Sequence, residues 1–487
     1  MRLSYLAYTF SLVMKYFSIV LFFPVIVALW YKEYASIPPF LIAVVTAIVL
    51  AFVIQRSVSG AKNIKSVNDI KKSEGLTVVT CSWFFAGLFA SVPYMFMDVT
   101  PINALFEGFS GITATGATAF TTFDYPHSLL FWRSFTQWLG GMGIIVLFIA
   151  VLPQLAIAGR QLFFAEAPGP TEEKFTPRIK STAAALWKIY AGLTLLCFIL
   201  ITNMGMGLFE GLCTSFSAMS GGGFSPNPNS LIGQSHNILW VITFFMFFAG
   251  VSFNLQHKAW VKFNPFVLFK NEEFRAYFTI VVITALLLAF SLFANMHYTF
   301  FNSLVHAFFN VTSLVSSTGF CSVDFAKWDY TSKILLFAIM LFGSCAASAG
   351  GGLKVARWLL IFKIMKLEMM KILHPKAVYN IKIGSYTVPK EILYQTLMFV
   401  SFYFAFIVLS AFLIAILEKD TVIAVVGSVA AVGNIGPGLG QVIGPMGSFA
   451  DLSVWTKAIL IIDMLAGRLE LIPFLVFFQK DLWSFKK

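Results

Sequence analysis

Charge is scarce in this chain of 487 residues: only 11% are Asp, Glu, Lys or Arg, where a soluble domain carries about 25%. The deficit excludes a soluble globular protein, because too little polar surface exists to keep 58% apolar residues in water. Cysteine is sparse too. Five thiols (Cys81, Cys197, Cys213, Cys321, Cys345) lie in or beside apolar stretches without paired spacing. They read as small buried hydrophobes and exclude a disulfide scaffold. The six histidines include no i, i+4 pair and no cysteine companion at zinc spacing, so no metal centre of that kind is expected. No nucleophile–base constellation stands out, so neither an enzyme nor an organic cofactor is expected. What is abundant is apolar bulk: 55 Phe and a mean hydropathy of +0.82. The class that remains is a helical integral membrane protein.

The net charge of +12 is placed unevenly. Basic residues collect at Arg56, Lys62, Lys65, Lys71 and Lys72, then at Arg160, Lys174, Arg178 and Lys180, then from Lys354 to Lys390. The alternate connections, around 97–128, 224–236 and 297–330, carry almost none. By the positive-inside rule the basic connections and both termini are cytoplasmic. The apolar run near 8–31 is too long for a signal-peptide core and lacks a small-residue cleavage pattern, so it reads as an uncleaved first span.

Spans of about 20 apolar residues are expected near 8–31, 36–55, 74–97, 129–157, 182–205, 237–256, 276–296, 333–360, 392–417 and 452–479. Four further apolar pieces, near 103–113, 208–219, 301–315 and 421–432, are too short to span and read as re-entrant half-helices. They form an internal repeat: FEGFSGITATGATAF (106–120), LCTSFSAMSGGGFSP (212–226), FFNVTSLVSSTGFCS (308–322) and VGSVAAVGNIGPGLG (426–440). Each apolar piece runs into small or hydroxyl residues and then a glycine: Gly116, Gly223, Gly319, Gly436. The expected fold is all-α and integral to the membrane. Two leading helices (1–60) precede four pseudo-symmetric units of helix, re-entrant loop and helix (61–158, 159–262, 263–380 and 381–487) around a central pore.

Irregular backbone at membrane depth is tolerated where it lines a watery cavity or coordinates something. A half-helix entering from outside aims its partial negative C-terminal end at the membrane centre. The carbonyls that follow it then face the axis, and rings of carbonyls can replace a cation's hydration shell. Packing of small residues between helices is the competing reading for any one such segment; four copies on one side favour the pore.

Two other features bear on flow. The run GSCAASAGGG (343–352) interrupts an expected span, and three glycines each weaken a helix by about 1 kcal/mol. It is either a close helix crossing or a movable segment under the filter. Arg468 sits mid-span, where a charge must face protein or water. An ion pair with Asp463 or Glu470 competes with a place in the cavity below the fourth loop, where its charge would raise the barrier to a cation. At the outer side, Asp98, Glu107, Asp124 and Asp324 are either cation-attracting groups or ordinary solvated loop charges.

The four loops, with WLGGMGIIVL (138–147), QLFFAEAPGP (161–170), GSCAASAGGGLKVAR (343–357), LHPKAVY (373–379), NIGPGLG (434–440) and MLAGRLE (464–470), resemble the Trk/Ktr/HKT superfamily of potassium transporters over nearly the whole chain. Within it the two leading helices fit the membrane subunits of bacterial Trk systems. The resemblance implies potassium (K+) as the transported ion, since all four loop glycines are present. It places the coordinating carbonyls at Ala114, Thr115 and Gly116; Gly221, Gly222 and Gly223; Ser317, Thr318 and Gly319; and Asn434, Ile435 and Gly436. The three consecutive glycines of the second loop are expected to soften that part of the ring. The resemblance further implies a gate formed by Gly350, Gly351, Gly352, Lys354 and Arg468. It also implies a homodimer, a cytosolic nucleotide-binding regulatory subunit of the TrkA type, and residence in the bacterial cytoplasmic membrane. Sodium- or proton-coupled symport on the same scaffold is the alternative to channel-like flow.

Overall fold

The computed structural model describes residues 3–57, 72–143, 179–375, 380–384, 386–477 and 479. Six helices or helix pairs have the length and hydropathy of a membrane span: Leu6–Trp30, Tyr34–Ser57, Glu74–Met95, Ala183–Asn203, Glu272–Asn295 and Lys390–Glu418. They coincide with six of the expected spans. The expected boundaries at 60/61 and 158/159, the segment QLFFAEAPGP, most of LHPKAVY and most basic residues of the first two connections expected to be cytoplasmic lie outside the described residues.

The four short apolar pieces are helices: Pro101–Ile112, Leu208–Ser220, Phe300–Val315 and Thr421–Val432. At about 1.5 Å per residue none crosses a hydrocarbon core of about 30 Å. Local chemistry starts two of them: Asp420 accepts from Val422 N at 2.7 Å and Ile423 N at 3.0 Å, and Thr299 accepts from Asn302 N at 3.4 Å. Each is embedded among longer helices of its own and neighbouring units, and Phe106, Phe109, Cys213, Phe309 and Val429 are buried. These are pore helices by position. Each unit therefore holds an outer spanning helix, a pore helix, an irregular loop and an inner helix.

The inner helices differ from expectation. The spans expected at 237–256, 333–360 and 452–479 are not continuous. The four inner helices are His127–Gly141, His236–Ala249, Tyr330–Met340 and Val454–Arg468, and each stops at the level of the loops. The chain resumes as Phe253–Val261, bent by 101° from its predecessor, as Val355–Leu373, and as Ile472–Phe477. Sequence explains the breaks: Gly140 and Gly141, Gly250, Gly343 and Gly467 stand there, and left-handed backbone follows at Gly143, Ala347, Gly352, Glu470 and Leu471. A helix cut inside a membrane leaves carbonyls without partners. Here the breaks satisfy one another. Cys345 N donates to Gly250 O at 2.9 Å and Ala349 N to Ala249 O at 3.1 Å, so the third break serves the second.

The leading helices brace the first unit. Leu3–Val20 and Phe23–Trp30 divide where Pro24 prevents continuation, and Ile37–Ser57 returns beside them. Phe10 meets Phe85 with ring centroids 4.8 Å apart, and Phe40 meets Trp132 at 6.3 Å. Between the two, Glu33 caps the first inner helix. Its carboxylate accepts from His127 N at 2.7 Å and Ser128 N at 3.0 Å. Burial raises this carboxyl's pKa, but the N–H donors of Ser128 and His127 outweigh it and hold Glu33 below its ordinary value.

A depressed carboxyl stabilises the fold above its unfolded pKa and loses that contribution as pH falls through the folded value. Glu33→Gln should therefore lower thermal stability by the equivalent of about 1 kcal/mol near neutral pH. The gap should close below about pH 4. Melting of the purified protein across pH checks this; a gap that persists in acid contradicts it.

Candidate functional site

The same backbone path follows each pore helix. The first loop residue is left-handed (Ala114, φ 52°; Gly221, 68°; Ser317, 60°; Asn434, 52°), the second is not, and the third is left-handed again (Gly116, 86°; Gly223, 71°; Gly319, 78°; Gly436, 93°). The second residue closes the helix end by donating back: Thr115 N to Ser110 O at 2.9 Å, Gly222 N to Ser217 O at 3.1 Å, Thr318 N to Ser313 O at 2.8 Å, and Ile435 N to Ala430 O at 2.8 Å.

These four loops close a ring. A Cβ added to Gly116 would lie 1.9 Å from Gly222 O, and one added to Gly223 would lie 1.8 Å from Thr318 O. On Gly319 it would lie 2.2 Å from Ile435 O, and on Gly436 2.6 Å from Thr115 O. Each loop's glycine thus receives the middle carbonyl of the next loop, in the order one, two, three, four and back to one. Glycine is required twice over, by positive φ and by a neighbour's oxygen where a side chain would begin. Hydrogen bonds extend the closure outward: Leu231 N to Cys321 O at 3.2 Å joins loops two and three, and Phe449 N to Thr118 O at 2.9 Å joins four and one. Above the ring opens a small cup of about 60 Å³, lined among others by Gly116, Gly223, Gly319, Phe224, Pro437 and Phe449.

All twelve expected loop residues come together here. The acidic residues do not all reach the mouth. Glu107 is fully buried and pairs with Arg133 Nε at 3.1 Å, while also accepting from Ala119 N at 2.6 Å. It is a structural partner of the first loop, not a solvent-facing charge. Arg133 also donates to Ser225 O at 3.1 Å and lies over the Phe224 ring at 4.1 Å. Asp324 turns to Ala326 N at 3.2 Å and Lys327 Nζ at 3.2 Å. Asp98 and Asp124 are exposed.

The segment 343–352 lies against the inner side of the ring. Gly351 N donates to Ser317 Oγ at 2.6 Å. A Cβ on Gly350 would lie 2.6 Å from Ser316 O, and one on Gly351 2.5 Å from Gly433 O. Only residues without side chains fit that close to the ends of the third and fourth pore helices. Lys354 is buried, and its Nζ donates to Gly350 O.

Arg468 reaches across two units. Its guanidinium donates to Ala349 O at 3.0 Å, within the segment beneath the ring, and to Gly141 O at 2.9 Å and Gly140 O at the first inner helix's end. Neither neighbouring acid competes for the role suggested by sequence. Glu470 is bound by Arg357, just beyond the 343–352 segment, and Asp463 accepts from Ser410 Oγ. Arg468 therefore holds the middle of the irregular stretch, at Ala349, and Glu470 holds the helix that follows it, at Arg357.

Sequence reasoning missed three residues at this site: Arg133, Gln137 and Arg357. The first two were visible as polar residues one turn apart in an apolar inner helix; Arg357 stands in a motif already singled out.

The chain matches the family described as TrkH, cation transport protein, over residues 42–486. It is 37% identical over 431 residues to the Trk system potassium uptake protein TrkH of Escherichia coli K12, covering 86% of this chain and 88% of that one. To the TrkH of Vibrio parahaemolyticus it is 35% identical over 483 residues, covering 97% and 98%. The crystal structure of the potassium transporter TrkH from Vibrio parahaemolyticus superposes with a TM-score of 0.88 at 31% identity, covering 99% of this chain and 100% of that one.

The seam geometry separates two classes of glycine. Gly223→Ala adds a methyl where Thr318 O now lies, besides a left-handed penalty of about 1–2 kcal/mol. Gly205→Ala carries only the second, since nothing lies within 4 Å of its added Cβ at φ 103°. Gly223→Ala should lower the melting temperature clearly more than Gly205→Ala; equal losses would remove the seam argument.

Proposed function

The chain belongs to the TrkH family of cation transport proteins, and we propose that it carries potassium into the cell across the bacterial cytoplasmic membrane. The observation that carries this reading is the closed ring of four loops with a glycine at every seam. Such a ring presents main-chain oxygens to a common axis at the ends of four pore helices, whose partial negative charge favours a cation. In this reading potassium sheds water against main-chain oxygens of the loops at 114–116, 221–223, 317–319 and 434–436. The middle carbonyls lie at the seams between loops and fix the ring's spacing. Potassium is the cargo, and the relatives' names as potassium uptake proteins agree with it.

Gating follows from the segment beneath. Residues 343–352 lie against the ring's inner face, and Arg468 both ties them to the first unit and adds positive charge near the path. Gly350, Gly351 and Gly352 let the backbone pack close in the closed arrangement and move away in the open one. Lys354 and the Arg357–Glu470 pair fasten the far end. Family resemblance further supports a homodimer and a cytosolic TrkA-type subunit docked on the basic connections.

Rubidium uptake into liposomes containing the purified chain tests the transport reading. Excess potassium should abolish uptake, and equal sodium should reduce it far less; equal suppression by both rejects potassium selection. In the same assay Arg468→Ala, and separately Glu470→Gln, should raise uptake several-fold, because each releases one fastening of the obstructing segment. Unchanged uptake in folded variants would sink the gate.

A further inference from the structure

The second loop has no side chain at any of its three positions: Gly221, Gly222 and Gly223. The others do. Thr115 and Thr318 bond through their hydroxyls to Thr113 and Ser316, each at 2.7 Å. Asn434 donates to Thr115 Oγ1 and to Met464 O, both at 2.9 Å. Three glycines in a row have more backbone freedom to lose than any other tripeptide. Left alone, the second loop would be the slack quarter of the ring.

It is held from outside the loop. Gln137, fully buried on the first inner helix, donates from Nε2 to Gly222 O at 2.7 Å and accepts from Phe224 N at 2.9 Å through Oε1. A Cβ added to Gly222 would lie 2.6 Å from Gln137 Cδ. The carboxamide thus fills the space where the first and third loops carry their threonine side chains. One turn earlier on the same helix face, Arg133 holds Ser225 O, so residues 222, 224 and 225 are gripped in sequence.

The other inner helices lack this device. Gly140 and Gly467 are equivalent, since a Cβ on either would strike the last residue of its own pore helix, Ile112 O at 1.8 Å and Val432 O at 2.1 Å. Aligning Ala249 and Gly343 with them puts Met246, Met340 and Met464 where Gln137 stands, and Ile242, Leu336 and Leu460 where Arg133 stands. All six are buried and apolar. The one polar pair in this fourfold set is found where it faces the one loop without side chains.

We propose that Gln137, seconded by Arg133, is a specificity-determining positioning residue that replaces the missing side chain of the second loop. By holding Gly222 O at the seam, it keeps the ring from contracting around a smaller ion and so sharpens rejection of sodium. This rests on the potassium reading above.

The test is rubidium uptake in liposomes under rising sodium, using the full chain. In Gln137→Met, which installs the residue of the other three units, sodium should inhibit at several-fold lower concentration, with uptake read relative to the same variant without sodium. Gly222→Thr alone should impair uptake, because the new side chain meets the carboxamide. Gln137→Ala combined with Gly222→Thr should recover the original sodium resistance, since the threonine then occupies the vacated space as in loops one and three. Unaltered sodium sensitivity in Gln137→Met overturns the proposal and leaves the potassium reading standing. A double variant as sodium-sensitive as Gln137→Ala alone also overturns it, and decides the matter if Gln137→Met does not fold. Should the unaltered chain take up no rubidium, the potassium reading fails and this proposal with it.

Discussion

The structure depends on one contact repeated four times: a main-chain oxygen lying against the α-carbon of a neighbouring loop's glycine. Nothing larger than hydrogen fits there, as the distances of 1.8–2.6 Å to an added Cβ make plain. The contact brings four loops from distant parts of the sequence to a common axis and sets the spacing between them. Because each loop is both donor of an oxygen and receiver of one, the ring closes without a free end. Displacing any member would disturb the two beside it. That mutual dependence makes the loops behave as one body although each is held by a different pore helix.

A second constraint is the cost of interrupting helices inside a bilayer. Every inner helix stops short, which would leave orphan carbonyls in a medium that offers no water. The chain answers by pairing breaks with breaks. The amides of Cys345 and Ala349 serve the carbonyls of Gly250 and Ala249, and the guanidinium of Arg468 serves Gly140 and Gly141. The same Arg468 also holds Ala349. A residue that satisfies backbone in one unit while fastening the irregular stretch of another couples the two. The Arg357–Glu470 pair is different. It links side chains beyond the break, and it can be released without orphaning a carbonyl of the ring.

The fourfold repeat and the glycine of each loop were legible in sequence because they recur: length separates a span from a half-helix, and four parallel segments single out one glycine each. The six long helices were equally plain, as runs of apolar residues near 20 in length. The inner-helix breaks were read in only one unit of four. Gly343–Gly352 is conspicuous, whereas Gly250 and Gly467 are single glycines in apolar runs, a pattern that ordinary membrane helices share. Glu107 was misjudged for a related reason. A carboxylate near an outer connection reads as solvated until its partner is known, and Arg133 lies 26 residues away. Composition and period carry no information about such a pairing. Arg357, likewise, pairs with Glu470 across 113 residues.

Departures from fourfold symmetry carry the site's individuality. If the four units were alike, the ring would have four equal quarters, and the backbone beneath it would be the same in each. Instead each unit differs in one chemical respect. The first presents Arg133 and Gln137 toward its neighbour; the second gives up its loop side chains; the third unwinds under the ring; the fourth places a guanidinium where the others have Gly141, Gly250 and Ser344. The differences are complementary, because the carboxamide of the first fills the space left empty by the second, and the arginine of the fourth holds the backbone that the third has freed. Duplication supplied the ring, and these paired divergences supply what a perfectly symmetric ring lacks: a glycine loop held by its neighbour's side chains, and an irregular stretch with a defined fastening.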